Sequence, residues 1–421
     1  MRRKYLVGAL TCAFLAVGAA SASAETLYVS NTVPVVPGGK SCAQPGFAKV
    51  QAAVTSAAPG STINVCSGTY VEQIQIEKAL KLNAINGAGT ATLAMPQSPT
   101  SATTSCDTQI GSEQRDEISI CTPNTVSFTN LNVEAEINLE TCAGGLAAIF
   151  VGGGGTLKAT NVLVNGASTT NNSFKGCQLG IAILAGTTRG GGEVGHAVLK
   201  GVTVTGYQKN GPTAVETGST LVMTASKVTG VGPSPYIAQN GIEVAFGAKG
   251  TVGTSSIAGN ECNVPSCVSL AEQAAGVLFF ESALGSKVSG STIKENDIGA
   301  YYASGRSTVQ ATAEFTLSKD VLTSNRDEGV LLEEGKALLS ADTINGSGRV
   351  GIDLNQFEGQ LSASESSATS NKVEGQSESA IKVESDKKAG DIAGKFTFSK
   401  GTASGNGNVL INESNNFEVI F

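Results

Sequence analysis

Short stretches of alternating apolar and polar residues follow one another along this chain, each opened by Gly or a small residue. Copies begin at Gly180-Ile181-Ala182-Ile183, Asn210-Gly211, Asn240-Gly241-Ile242-Glu243-Val244 and Gly276-Val277-Leu278-Phe279. They continue at Gly299-Ala300-Tyr301-Tyr302, Gly329-Val330-Leu331-Leu332 and Gly351-Ile352-Asp353-Leu354, with weaker copies at Ala380-Ile381-Lys382-Val383 and Asn408-Val409-Leu410-Ile411. Successive copies lie 22 to 35 residues apart. The first and third residues after each Gly share one strand face, because side chains alternate with a period of two. A repeat of this length, made of short strands, is one coil of a β-solenoid. Ile242 with Val244, Val277 with Phe279, Ile352 with Leu354 and Ile381 with Val383 are therefore expected to stack inside the coil. Val202-Thr203-Val204, Lys227-Val228-Thr229 and Ser291-Thr292-Ile293 predict a second sheet per coil, and the Gly before each strand a positive-φ corner.

One segment breaks this period. Phe47, Val50, Val54 and Ala57 recur at helical spacing until Pro59-Gly60 ends the pattern. Strand signals follow at Thr62–Val65 and Ile74–Ile76. A short helix there would cover the open apolar end of the first coil, as repeat arrays require.

Composition agrees with this picture. The 421 residues include 52 Gly and no Trp, with many β-branched residues and turn formers. A core for so long a chain is more easily built from units that bury themselves against neighbours. Residues 1–24 read as a cleavable signal: Arg2, Arg3 and Lys4, an apolar run from Tyr5 to Ala20, then Ala22-Ser23-Ala24. This leaves 25–421 as one domain, with 25–80 forming the cap and first coil. Export to the medium, the periplasm or the cell surface follows, with no membrane insertion after cleavage. Losing the signal removes three basic and no acidic residues, so the net charge of −7 becomes −10. Nucleic acid is a poor partner for such a chain. Eight cysteines remain, and an exported chain favours disulfides. Pairing neighbours in sequence (Cys42–Cys66, Cys106–Cys121, Cys142–Cys177, Cys262–Cys267) closes the shortest loops and is the expected connectivity.

A family resemblance lies in the opening segment. Val50-Gln51-Ala52-Ala53, Pro59-Gly60-Ser61-Thr62-Ile63-Asn64-Val65 and Gly68-Thr69-Tyr70-Val71-Glu72 resemble the start of pectate-lyase-like parallel β-helix proteins, and the later coils resemble their degenerate repeat. The resemblance implies an all-β, right-handed parallel β-helix, here of about ten coils with a short N-terminal α-helical cap. Handedness also follows from the rule for parallel crossovers. The superfamily spans lyases, esterases, hydrolases, epimerases, tailspikes and proteins without chemistry, so function must be read from the site.

The catalytic signatures of several of those branches are missing. Neither QD with DFIFG, nor NTD…DD…GHG, nor DPHE occurs, and His196, the single imidazole, lies in an alternating strand away from any nucleophile elbow. Gly39-Lys40-Ser41 lacks the first Gly of a phosphate loop and reads as a turn. A calcium-dependent lyase acting on uronates needs only carboxylates and a cationic base, and Asp297, Arg326, Asp327, Arg349 and Asp353 fall on successive coils. The outward positions of the same strands hold Glu243, Leu278, Phe280, Tyr301, Leu331, Glu333, Asp353 and Asn355, an apolar and aromatic strip edged by carboxylates. A covering loop, such as the one holding Cys262 and Cys267, is the alternative use of that strip. The expectation is a non-enzymatic glycan- or partner-binding protein needing no cofactor. The alternatives are the lyase, in which calcium would take part, and a purely structural envelope or adhesive protein.

Overall fold

The computed structural model describes residues 23–85, 87, 90–101, 106, 114–187, 192–270, 272–303, 314–333, 335–355, 365–384, 394–413 and 417–421. The signal-like residues 1–22 lie outside them. Three parallel sheets of 14, 12 and 12 strands run the length of the molecule. Each coil gives one strand to each sheet in turn, as Thr220–Thr224, Lys227–Ser234 and Asn240–Ala245 do. The chain is an all-β, right-handed parallel β-helix. Among the described residues it makes twelve such coils, where repeat counting suggested about ten, because the earliest coils lack the Gly-led strand. Thr26–Val29 and Phe417–Ile420 add a strand to the two ends of the first sheet.

The interior follows from the alternation. Ile242 pairs with Val277 and Val244 with Phe279, then Ala300 with Val330 and Tyr302 with Leu332, all fully or nearly fully buried. One apolar cluster continues from Val29 to Phe398. Phe279, Phe315 and Tyr302 form an aromatic run inside it, with centroids 5.0 and 5.7 Å apart. The final copy slips by one residue: Leu410, not Val409, continues the column of Ile381, and Val409 is exposed.

Gly180 lies at positive φ as expected, but the later glycines before the third-sheet strands have another purpose. Gly211, Gly241, Gly276, Gly299, Gly329 and Gly351 are not at positive φ. A Cβ at Gly241 would lie 2.5 Å from the Gly276 carbonyl oxygen and 2.6 Å from Ile257 Cγ2. These glycines let successive coils close onto each other. Positive φ recurs a few residues earlier, after the second-sheet strands, on Glu295, Ser324, Gly346, Gly375 and Gly405, and again after the first-sheet strands, on Ala225, Thr254, Gly290, Lys319, Ala341 and Ser370. The next residue in each coil builds a polar ladder, in which Ser226, Ser255, Ser291, Asp320, Asp342 and Asn371 accept from the backbone N–H one coil below. A second ladder of buried Asn260, Asn296 and Asn325 joins coils at the opposite corner. Both satisfy corner backbone groups that cannot reach a sheet partner.

Helix α1 (Val50–Ser56) buries Val50, Ala53 and Val54 over the first coil. It starts later than its pattern suggested: Phe47 instead bridges to Val29. Glu72 explains the motif of the opening segment, since its carboxylate accepts from Val50 N at 2.7 Å and Gln51 N at 3.1 Å, where a helix favours negative charge. Tyr70 donates its buried hydroxyl to the Val29 and Cys66 carbonyls. The four disulfides join sequence neighbours, with Cα–Cα distances of 5.4 to 5.8 Å.

Buried carboxyls make stability depend on pH. Burial lifts Asp297 and Asp320 to about 6, Glu328 and Asp342 to about 7, and Glu117 well above the usual range. Between the ordinary carboxylate values and those raised ones the folded chain holds protons that the unfolded chain has released. Stability therefore falls as pH rises through this window. Melting temperature is expected to drop between pH 4.5 and pH 8, by the equivalent of at least ~1 kcal/mol. A flat or rising profile by calorimetry would refute this reading of the buried acids.

Candidate functional site

The outward face of the third sheet gathers the sequence-derived site residues. Alternation places Leu184, Thr213, Glu243, Leu278, Tyr301, Leu331, Asp353 and Lys382 in one file, one residue per coil. Phe280, Ala303, Glu333, Asn355 and Glu384 form the adjoining file. From Glu243 to Asp353 is four rung steps, about 19 Å. Glu243, Leu278, Phe280, Tyr301 and Glu333 are half-buried, while Leu331, Asp353 and Asn355 are buried. Leu331 packs with Ala275, Ile298, Leu278 and Tyr301 in a small apolar cluster of its own. Tyr301 donates its hydroxyl to Glu333.

At the N-terminal end of the file lies a pocket of 220 Å³, lined by Gln114, Leu184, Asn210, Thr213, Glu243 and Phe246 among others. Asn210 donates its side-chain amide to Glu243, and Asn240 donates to Asn210 at 3.1 Å. Burial raises the Glu243 carboxyl, against the opposing pull of Lys209 and the Asn210 hydrogen bond. Phe246 is exposed and meets Phe280 edge-on at 5.4 Å. Gln114, Asn210 and Phe246 were not among the sequence-derived residues. Asn210 and Asn240 were visible as a recurring Asn before Gly, but nothing in sequence tied Gln114 to a coil so distant.

Four of the five residues of the lyase hypothesis fall into two ion-pair groups, and Asp353 belongs to neither. Asp297 is fully buried at the corner before its strand, accepts from Ala274 N at 3.0 Å and Cys262 N at 3.3 Å, and meets Arg326 at 3.1 Å. Arg326 also pairs with Asp327 at 3.2 Å and donates to the Cys262 carbonyl. Together they hold the loop carrying the short helix α2 (Pro265–Val268) and the Cys262–Cys267 disulfide. That loop covers the corner and leaves the Leu278–Tyr301 strip half-buried. Arg349 pairs with Glu328 at 3.0 Å and Glu378 at 3.4 Å. Asp353 stacks against Lys382, which is itself paired with Glu378 and Glu384. Burial first, then Glu384 and Glu328, drives the Asp353 carboxyl well above the carboxylate range. Among the described residues no three His, Cys, Asp or Glu side chains form a group suited to a metal ion. His196 lies on the first sheet, its Nδ1 2.9 Å from Thr220 Oγ1.

No protein-family model matches this sequence, and no curated protein matches it. Solved structures do. A mutant of the periplasmic alginate epimerase AlgG superposes with a TM-score of 0.54 at 12% identity, over 89% of this chain and 82% of that one. The catalytic domain of a GH87 alpha-1,3-glucanase in complex with nigerose gives 0.56 at 11% identity, over 89% of this chain and 66% of that one. At these identities the similarity is one of fold, the pectate-lyase-like parallel β-helix. No helix among the described residues is long and apolar enough to cross a membrane.

Proposed function

We propose that this protein binds glycan along the outward face of its third sheet, as an exported protein without covalent chemistry of its own. The carrying observation is the continuity of the 220 Å³ pocket at Asn210, Thr213 and Glu243 with the half-buried Leu278–Tyr301 strip. A pocket below the roughly 300–1,000 Å³ that envelops a drug-sized ligand suits one ring of a chain whose remainder lies along the strip. Amide, hydroxyl and carboxylate groups beside Leu184 and Phe246 match a sugar, which has hydroxyls at its rim and apolar C–H faces. Two structures of the same fold belong to proteins named for glycan chemistry, an alginate epimerase and an alpha-1,3-glucanase, which supports this substrate class. Four disulfides suit an oxidising compartment outside the cytosol. The lyase alternative is weaker, since both of its candidate arginines are already held by carboxylates.

Affinity electrophoresis through gels containing a polysaccharide panel tests the proposal. Retardation by at least one glycan is expected, with loss of about tenfold in affinity in Leu278→Asp and Tyr301→Ala. Val321→Asp, at an exposed position on the second sheet, should behave as the parent does. Retardation unchanged in both groove variants, or absent on every glycan, would overturn the assignment.

A further inference from the structure

Resting on the reading that this face holds glycan, we infer that its C-terminal end, at Asp353, Asn355 and Ser379, takes the hydroxyl groups of an uncharged sugar. Asp353 Oδ1, Asn355 Oδ1 and Ser379 Oγ are buried and have no hydrogen-bond partner. Their residues are 4%, 9% and 0% exposed. Buried polar groups in folded proteins are nearly always satisfied, so three orphans on two adjoining strands call for a partner. Asp353 and Asn355 belong to Val350–Asn355, and Ser379 opens the neighbouring strand Ser379–Glu384. Two of the orphans are acceptors, and a ligand that satisfies them brings O–H donors.

The surrounding charges decide the ligand's class. Lys382 is matched by Glu378 and Glu384, and Arg349 by Glu328 and Glu378. Glu333 lies across the same face, one coil before Asn355. No unmatched cation among these residues awaits a carboxylate or phosphate, and the local excess is acidic. A uronate chain is repelled here, whereas a neutral chain is not. Burial, together with Glu384 and Glu328, raises the Asp353 carboxyl and so disfavours its charged form at this seat. The groove thus joins a polar pocket at Glu243 to a polar seat at Asp353 across an apolar middle.

Titration calorimetry of the full chain with neutral hexasaccharides (gluco-, manno- and galacto-) and with galacturonate and alginate hexasaccharides tests this. Neutral chains are expected to bind at least tenfold more tightly than uronates. Asn355→Ala and Ser379→Ala should each weaken neutral binding about threefold to tenfold with melting temperature held. Asp353→Asn, which preserves an acceptor and donors, should keep most of the affinity that Asp353→Leu loses. Tighter uronate binding overturns the inference. So does neutral binding that survives all of these changes yet disappears in Leu278→Asp, a result that leaves the groove itself standing. Binding indifferent to Leu278→Asp removes the groove reading first, and this one with it.

Discussion

Gly241→Ala is expected to destabilise the middle of the stack by about 3 kcal/mol, an effect at the upper end for overpacking by one methyl. The added carbon meets the Gly276 carbonyl oxygen at 2.5 Å, Ile257 Cγ2 at 2.6 Å and Asn260 Nδ2 at 2.9 Å. The first of these is backbone, fixed by the ladder to the next coil, so it cannot move aside as a flexible side chain would. The second and third belong to the aliphatic column and the Asn ladder, and shifting them disturbs neighbouring coils. Gly253→Ala supplies the comparison: its nearest contacts are at 3.8 Å and its backbone is not at positive φ, so the cost should stay within about 0.5 kcal/mol. Urea denaturation of the pair measures the difference. Equal midpoints would show that coil-to-coil contact is looser than these distances require.

Asp297→Ala should cost about 2–4 kcal/mol locally, because it orphans two buried backbone N–H groups and removes one partner of the partly exposed Arg326. The substitution leaves the Ala274 and Cys262 N–H groups without their acceptor and Arg326 without its buried partner. Arg326 keeps Asp327 and the Cys262 carbonyl, so the loop should loosen and the fold should persist. Limited proteolysis should then cut within residues 263–270, where the parent resists, while the rest of the stack remains folded. Asp297→Asn, retaining an acceptor, should fall between. A loop equally resistant in all three proteins would refute the anchoring role.

That second case shows what a sequence can and cannot say about this molecule. Asp297, Arg326 and Asp327 were recognisable as charged residues on successive coils, and the structure does bring them together. Their task depends on which backbone groups lie opposite, and corners of unequal length conceal that register. The inward pairs such as Ile242 with Val244 were legible because alternation is local and needs no knowledge of the next coil. The slip at Asn408 marks the limit of that signal, since one residue reverses every face. The first sheet was glimpsed only at Thr62–Val65 and around His196 and not as a third sheet of every coil, because strands such as Thr220–Thr224 carry no leading Gly. Its polar ladder was nonetheless written in the chain, as Ser, Asp or Asn two residues before Val228, Ile257, Ile293, Leu322, Ile344 and Val373. The opening motif was readable as a pattern, but only the Glu72 contact with α1 supplies its physical reason.

Hydrogen–deuterium exchange on the free protein and on the protein saturated with a glycan that retards it tests the central claim most directly. Slowed exchange should be confined to third-sheet peptides, in the strands that run from Asn210–Val215 through Ala275–Phe280 and Ile298–Ala303 to Val350–Asn355 and Ser379–Glu384. Protection centred on the first or second sheet, or none at saturation, would contradict it.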